Sequence, residues 1–486
     1  MQPRVIHLVC TVFLTLPIVA VTYPPLADYP GHLARMYILE HYSDVPQFQR
    51  EYTRVLGLIP NLAMDITVPF LAGAVGIMEA GRLFLLLTLV LYSGGCYLLA
   101  TQLYKRDTYL SVLPTFFIYN SMFLAGYINY AMGVAIYLIS LSLWFHWRFA
   151  WTPLRVIAFA TLAFTCYLCH LSSSILLDAS IGAVFAIDAY RRLPIRSSLI
   201  VTAIVQLPII AAYRAFMHST GRIGSVTFNS VSGKLIELLA VVRSYDITVD
   251  IALIAVVFGM LIVCFWKIRE LRIDAYAGTI AIVMFGAFLI CPAVMYTSSG
   301  ADARFVLPAF ICLALAVRPK HMKTWRVWCM AAIVEVFIFR TGLLLFRWRE
   351  LDQKVAGVVS EFRALPRGAR VYPVFRASDD VQVGKMDRSF QSIVCYAVIA
   401  KDAYVPVVFA QRGQQPLIDN DESYRVWSPQ NSTFDGYDYV WAYRPSLQLV
   451  YGLAKSGADV IGTYAESCLW RLRGKARSAF TIASAP

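Results

Sequence analysis

Charged residues are scarce in this sequence, in which Asp, Glu, Lys and Arg make up 15% and hydrophobic residues 58%. Soluble domains carry roughly one quarter charged residues, so this composition excludes a soluble globular chain. The sequence also lacks a Walker loop and a GxGxxG motif after a strand, which leaves nucleotide use at a cytoplasmic site without support. His, Cys and carboxylate residues do not recur at the density of a metal cluster, so no metal site is predicted.

Long apolar runs recur from the N-terminus to about residue 346. A bilayer core of about 30 Å needs roughly 20 apolar residues per helix, so the chain is predicted to be an integral membrane protein. The first run lacks a convincing cleavage site and is expected to remain as an anchor. We predict about eleven spans, at 4–22, 83–103, 108–125, 127–146, 153–169, 172–189, 198–217, 247–266, 275–297, 299–317 and 325–346.

Basic residues are concentrated in alternate short loops between these spans. The positive-inside rule places those loops in the cytoplasm. Orientation during membrane insertion therefore explains the net charge of +13, which argues against nucleic acid as a partner. The N-terminus is then cytoplasmic, and the 23–82 segment and residues 347–486 lie outside.

The two outer segments are predicted to be structured. Residues 32–45 and 66–78 each have the pattern of a helix lying on the membrane surface. Residues 347–486 are predicted to form a small α/β domain after a transmembrane domain of residues 1–346. Its two cysteines, Cys395 and Cys468, are candidates for a disulfide if this domain is extracytoplasmic.

The predicted topology brings the polar residues of interest to the outer half of the membrane. Asp28 has two open roles, as an N-terminal cap accepting from Gly31 or as a general base. Arginines in this region suit a lipid-linked phosphate, although snorkelling would also explain them. The candidate phosphate- and substrate-binding residues are His32, Arg35, His170, Lys234, Asp302, Arg304 and Arg340.

Two of these candidates have specific alternatives. The serines after His170 are expected to cap the next helix if that turn is purely structural. Arg340, at membrane depth, is expected to meet either Asp178 or a phosphate across the bundle, and a structural ion pair is equally consistent with the sequence.

Three segments, PPLADYPGHLARMYIL, GYINYAMG and SSGADARF, together with the overall architecture, resemble a bacterial branch of the GT-C glycosyltransferases. The resemblance implies a multi-pass helical fold with two interfacial helices in the first outer loop. It also implies a polyprenyl-phosphate sugar donor and a catalytic carboxylate at Asp28. The loop has no DxD motif, so no cofactor is assigned and a divalent metal is unsupported.

The resemblance leads us to expect sugar transfer to a hydroxyl of a glycan, lipid or protein acceptor, with inversion and with Asp28 as base. The expected location is the bacterial inner membrane, with the C-terminal domain in the periplasm. A transporter or flippase for lipid-linked saccharides and a non-enzymatic glycan-assembly protein are the alternatives. The sequence shows no symmetry between halves, which a transporter would be expected to have.

Overall fold

The computed structural model describes residues 2–55, 57–106, 108–220, 225–267, 271–296, 298–319, 325–375, 390, 392–411, 414–421, 434 and 436–473. The apolar part of the chain is a bundle of helices. In chain order up to residue 220 these are α1 (Pro3–Val19), α2 (Tyr29–Glu40), α3 (Pro46–Glu51), α4 (Ala63–Val75), α5 (Ile77–Tyr104), α6 (Ser121–Ala125), α7 (Ile128–Trp147), α8 (Pro153–Cys169), α9 (Leu171–Tyr190) and α10 (Arg196–Thr220).

The second half of the bundle contains shorter helices and one very long one. These are α11 (Val231–Ala240), α12 (Ile247–Lys267), α13 (Ala275–Ile290), α14 (Val306–Ala316) and α15 (Trp325–Glu361). Short strand pairs join the connecting segments: β2 (Ser225–Thr227), β4 (Val294–Tyr296) and β5 (Ser298–Ser299) form one sheet, and β3 (Leu271–Ile273) pairs with β6 (Val317–Pro319).

Within the described residues, four helical segments are long and apolar enough to cross a membrane: Ile77–Tyr104, Ile128–Trp147, Leu171–Tyr190 and Arg196–Met217. Five further apolar segments are shorter, namely Pro3–Val19, Ala63–Val75, Pro153–Cys169, Ala275–Ile290 and Ala303–Ala316. The chain therefore has several helices able to span a membrane, while the total of eleven spans stays a prediction.

The predicted span 108–125 is not a continuous helix. It is a 3-10 helix, Tyr109–Phe117, followed by the five-residue helix α6. Pro114 has no backbone N–H to donate, and Asn120 caps α6 by accepting from the Phe123 N–H at 2.9 Å. The hydropathy of this stretch thus reflects burial in the bundle.

Residues 23–82, which the sequence analysis predicted to lie outside, contain a buried helix where a surface helix was predicted. In α2, Leu33, Met36 and Ile38 have no exposed surface, because residues from the C-terminal part of the chain cover this helix. The ring of Phe409 packs against Gly31, and the Tyr37 hydroxyl donates to Asp402 at 2.8 Å. Helix α4, in contrast, exposes Ile66, Phe70 and Val75, as an interfacial helix would.

The C-terminal part contains a four-stranded mixed sheet in the order β10, β11, β9, β7. Its members are β7 (Val371–Phe375), β9 (Tyr439–Tyr443), β10 (Asp459–Tyr464) and β11 (Ser467–Arg471), and helices α16 (Tyr396–Lys401) and α17 (Leu447–Lys455) accompany them. Strands β7 and β9 are parallel, whereas the pairs β9–β11 and β10–β11 are antiparallel. One short antiparallel pair, β1 (Tyr52–Arg54) with β8 (Leu417–Asp419), joins the first outer segment to the C-terminal part.

Helix α15 runs through the predicted domain boundary at residue 346 without interruption. Surface ion pairs between Glu350 and both Arg347 and Lys354, three and four residues apart, support its charged half. At its end, Glu361 accepts from Trp441 and Ser467 of the sheet. A single helix therefore connects the bundle to the C-terminal sheet.

Candidate functional site

Asp28 lies just before α2, at the N-cap position, and its side chain is partly exposed. Its backbone has helical dihedral angles, φ −90° and ψ −9°, and its carboxylate makes no capping hydrogen bond to the described start of α2. The expected acceptance from Gly31 is therefore wrong. N-cap residues that accept with their side chains normally have extended backbone angles, which Asp28 lacks.

The turn between α6 and α7 lies directly against Asp28. The backbone N–H groups of Ala27 and Asp28 donate to the carbonyls of Leu124 and Ala125, both at 3.0 Å. Gly126 has φ +96°, and a Cβ atom placed there would be 2.7 Å from both the Cβ and the backbone nitrogen of Asp28. Only glycine fits this approach. The sequence signal was the polar turn in LAGYIN, which did not reveal the contact.

Arg304 lies close to the same turn. The Tyr127 ring is 5.5 Å from the Arg304 guanidinium carbon, and the Tyr127 hydroxyl is hydrogen-bonded to the Ser299 hydroxyl at 2.9 Å. Neighbouring residues Gly126 and Tyr127 therefore contact Asp28 and Arg304, respectively. The structure brings these two predicted site residues to one turn.

Arg304 is 5% exposed and is held by its own loop. Its two terminal nitrogens donate to the Ser298 hydroxyl at 2.9 Å and to the Ser299 carbonyl at 3.0 Å. Its Nε is buried and has no hydrogen-bond partner among the described residues. A buried, unpartnered donor on a permanently charged side chain is suited to an anionic ligand.

Asp302 and Lys234 form a separate, saturated pair. The Lys234 ammonium donates to the Asp302 carboxylate at 2.7 Å and to the carbonyls of Phe288 and Cys291 at 2.7 and 2.8 Å. The Asn229 amide donates to the same carboxylate oxygen at 3.1 Å. All three ammonium donors of Lys234 are thus used, so the geometry favours anchoring of α11 over phosphate binding for this residue.

His170 lies beside Arg304 but acts as the cap itself. Its Nδ1 accepts from the Ser172 N–H at 3.1 Å, which replaces the expected capping by serine. Its ring packs edge-on against Tyr130, whose hydroxyl donates to the Arg304 carbonyl at 2.6 Å. Burial, aided by the Arg304 charge, lowers the pKa of His170 well below its usual value. His170 is therefore neutral near Arg304.

His32 is one helical turn beyond Asp28, and its backbone N–H donates to the Asp28 carbonyl at 3.1 Å. Its ring stacks on Phe409 with centroids 4.6 Å apart, and its Nδ1 is buried without a hydrogen-bond partner in the described part of the chain. Burial and the Arg35 charge lower the pKa of His32 well below its usual value. A phosphate-binding role for His32 would therefore depend on hydrogen bonding, because the ring is uncharged.

Arg35 is completely buried in a bidentate pair with Asp65. Its Nε and one terminal nitrogen donate to the two carboxylate oxygens at 2.7 and 2.8 Å, and the other donates to the Phe409 carbonyl at 3.3 Å. The pair joins α2 to α4. This geometry favours a structural role over donor binding, and the signal that the sequence analysis missed was an acidic residue at the start of the apolar segment 66–78.

Arg340 pairs with Asp250, so the expected contact with Asp178 is wrong. The Arg340 Nε is 3.5 Å from the Asp250 carboxylate. Its terminal nitrogens donate to the carbonyls of Phe116, Tyr119 and Val242. Asp178 is exposed on α9 and accepts from Gln206 of α10 at 2.6 Å. Arg340 thus connects the segments that contain these carbonyls, in agreement with the structural ion-pair alternative.

Two further expectations concern cysteines and metals. Cys395 and Cys468 are both free thiols, so the candidate disulfide is wrong. Cys395 is buried near Gly31, whereas Cys468 lies in β11 opposite Ala442 and Thr463. In the part of the chain that the structure describes, no group of three His, Cys, Asp or Glu residues is arranged to hold a metal ion.

The fold of the chain, from α1 to the C-terminal sheet, is similar to that of two solved structures. Solved structures of ArnT from Cupriavidus metallidurans, a GT-C glycosyltransferase, have this fold over the whole chain. The form bound to undecaprenyl phosphate has a TM-score of 0.56 and 12% identity, covering 99% of both chains. The apo form has a TM-score of 0.52 and 11% identity, covering 96% of this chain and 97% of ArnT. No family model and no curated protein matches the sequence.

Proposed function

We propose that this protein is a glycosyltransferase that moves a sugar from a polyprenyl-phosphate-type lipid donor to an acceptor hydroxyl on the outer face of the membrane. The observation that carries the proposal is that Asp28 and Arg304 contact adjacent residues, Gly126 and Tyr127, of one turn. The shared fold supports it, because ArnT has been crystallised with undecaprenyl phosphate.

Asp28 is the proposed general base. Its carboxylate is partly exposed, and its backbone is fixed by two hydrogen bonds to the turn. A carboxylate in this position can take the proton of the acceptor hydroxyl as the oxygen attacks the anomeric carbon of the sugar. The bond from the anomeric carbon to the phosphate oxygen breaks at the same time, and polyprenyl phosphate leaves with the electron pair.

Arg304 is the proposed partner of the phosphate. Its Nε, which has no partner among the described residues, can donate to a phosphate oxygen while the loop carbonyl and hydroxyl keep the guanidinium in place. This interaction strengthens as negative charge develops on the leaving group, which is the condition for lowering the barrier. Supporting roles are assigned to the residues whose charges are already paired, namely Asp302, Lys234, Arg35 and Arg340.

The proposed setting is the bacterial inner membrane, with residues 1–346 as the transmembrane catalytic part and residues 347–486 on the periplasmic side. Membrane lipid surrounds the bundle, and a glycan, lipid or protein supplies the acceptor hydroxyl. The several apolar helices and the ArnT fold support this setting.

The test is an assay in proteoliposomes with a set of polyprenyl-phosphate sugars and candidate acceptors. Acceptor-dependent release of polyprenyl phosphate, together with a glycosylated product, is the expected result. Movement of intact donor between leaflets without cleavage would instead identify a flippase. Arg304→Ala is expected to weaken donor use strongly, and Arg155→Ala, which changes a partly exposed arginine outside the site, is the matched control.

A further inference from the structure

The segment carrying Asp28 is fixed at two ends by different parts of the fold. At its C-terminal end, Ala27 and Asp28 bond to the carbonyls of Leu124 and Ala125. At its N-terminal end, the chain leaves α1 after Val19 and must cross to the site within a few residues. The Tyr245 hydroxyl donates to the Pro25 carbonyl at 3.3 Å in between.

One carboxylate holds the N-terminal end. Oδ1 of Asp352, on α15, accepts from the backbone N–H of Thr22 at 3.0 Å and of Tyr23 at 2.6 Å. Hydrogen bonds to an ionised acceptor are shorter and roughly twice as strong as neutral ones. Asp352 therefore fixes the backbone a few residues before the proposed base.

Other contacts of this segment are apolar and give less directional control. The Tyr23 ring packs edge-on against Tyr396, with centroids 5.1 Å apart. The side chains of Leu26 and Tyr29 are fully buried. Packing of this kind limits movement away from the core, but a hydrogen bond to a rigid helix also sets the position along the chain.

We propose that Asp352 is a positioning residue, which sets the location of Asp28 by holding the amides of Thr22 and Tyr23 against α15. This inference rests on the proposed function. It also gives α15, which continues to the C-terminal sheet, a direct connection to the reacting side of the site.

The experiment compares Asp352→Ala, Asp352→Asn and Glu350→Gln in the full-length protein. Asp352→Ala should lower kcat by about 10- to 100-fold, because small displacements of a catalytic group are costly, while the KM for the donor stays within about 2-fold. Asp352→Asn should recover most of the rate, since its side-chain oxygen still accepts. Glu350→Gln is the control, because the ion pairs of Glu350 are to side chains on the same helix surface.

Hydrogen exchange provides a readout that does not depend on activity. Amides of residues 22–28 should exchange faster in Asp352→Ala than in the wild type and in Glu350→Gln. Unchanged exchange, or equal losses of kcat, donor binding and thermal stability, would overturn the positioning role. Wild-type kcat in Asp352→Ala would overturn this inference alone, whereas a wild-type protein that transfers no sugar would overturn the proposed function.

Discussion

Replacing Gly126 with alanine is expected to displace Asp28. The added Cβ would lie 2.7 Å from the Asp28 backbone nitrogen and Cβ, and 3.0 Å from its Cα, whereas ordinary contact begins at 3.4 Å. The atoms that must yield belong to the backbone and the first side-chain carbon of Asp28, so a rotamer change cannot relieve the overlap. The left-handed conformation adds about 1–2 kcal/mol of strain for alanine.

The kinetic consequence follows from the size of that displacement. Misplacing a reacting group by about 1 Å can cost about 10²-fold in rate, so Gly126→Ala should lower kcat by about that factor. Transfer from a radiolabelled polyprenyl-linked sugar in proteoliposomes measures this effect, and binding of polyprenyl phosphate measures whether the donor side is intact.

Gly76→Ala is the matched control for this prediction. Gly76 also has a positive φ, +81°, but a Cβ atom added there would meet none of the described residues within 4 Å. Its alanine variant also places a Cβ on a backbone with positive φ, although at ψ +156° where Gly126 has +18°. It does not touch Asp28 and should keep near-wild-type kcat. Equal rates for Gly126→Ala and Gly76→Ala would refute the claim that the turn holds Asp28 in its working position.

Three further outcomes are expected from the charges around the site. Arg35→Met leaves the buried Asp65 carboxylate unpaired and should lower stability by about 3–5 kcal/mol, and the double variant Arg35→Met/Asp65→Leu should recover much of this loss in thermal unfolding. Lys234→Met should lower the thermal midpoint for the same reason, because Asp302 then loses its cation, while Lys455→Met on the exposed end of α17 should not. Burial raises the pKa of Asp419 to about 6, and the charges of Asp421 and Glu51 add to the rise. The folded state therefore favours the protonated carboxyl, so the stability that this group gives the β1–β8 pair is present at low pH and is lost as pH rises through about 6. After correction for the faster intrinsic exchange at higher pH, the amides of residues 52–55 should accordingly be better protected at pH 5 than at pH 7 in the wild type, and this difference should shrink in Asp419→Asn.

Several helices could be predicted from sequence because local hydrophobic runs define them. The prediction 153–169 coincides with α8, and 127–146 and 172–189 differ from α7 and α9 by one residue at each end. Hydropathy alone could not separate a spanning helix from buried 3-10 structure at 108–125, since both are apolar. It also ended the predicted span at residue 346, before the charge-rich segment that begins at Arg347, although charged residues three and four apart continue a helix in water.

The candidate site was less accessible to sequence reasoning because its contacts join distant segments. Asp28 and Arg304 were identified as chemically apt residues, but the glycine between them matters through a backbone approach that has no local signature. Charge pairing depends likewise on tertiary structure. Asp178 and Asp250 are both acidic residues within apolar helices, and only the packing of α12 against α15 selects Asp250 for Arg340.

The most direct test of the central claim is sugar transfer by Asp28→Asn beside Asp44→Asn, an exposed acid in the same outer segment. Loss of a general base typically costs about 10²- to 10⁴-fold, so Asp28→Asn should lose transfer to that extent while binding polyprenyl phosphate normally. Asp44→Asn should retain wild-type transfer. Undiminished transfer by Asp28→Asn would contradict the assignment of Asp28 as the base.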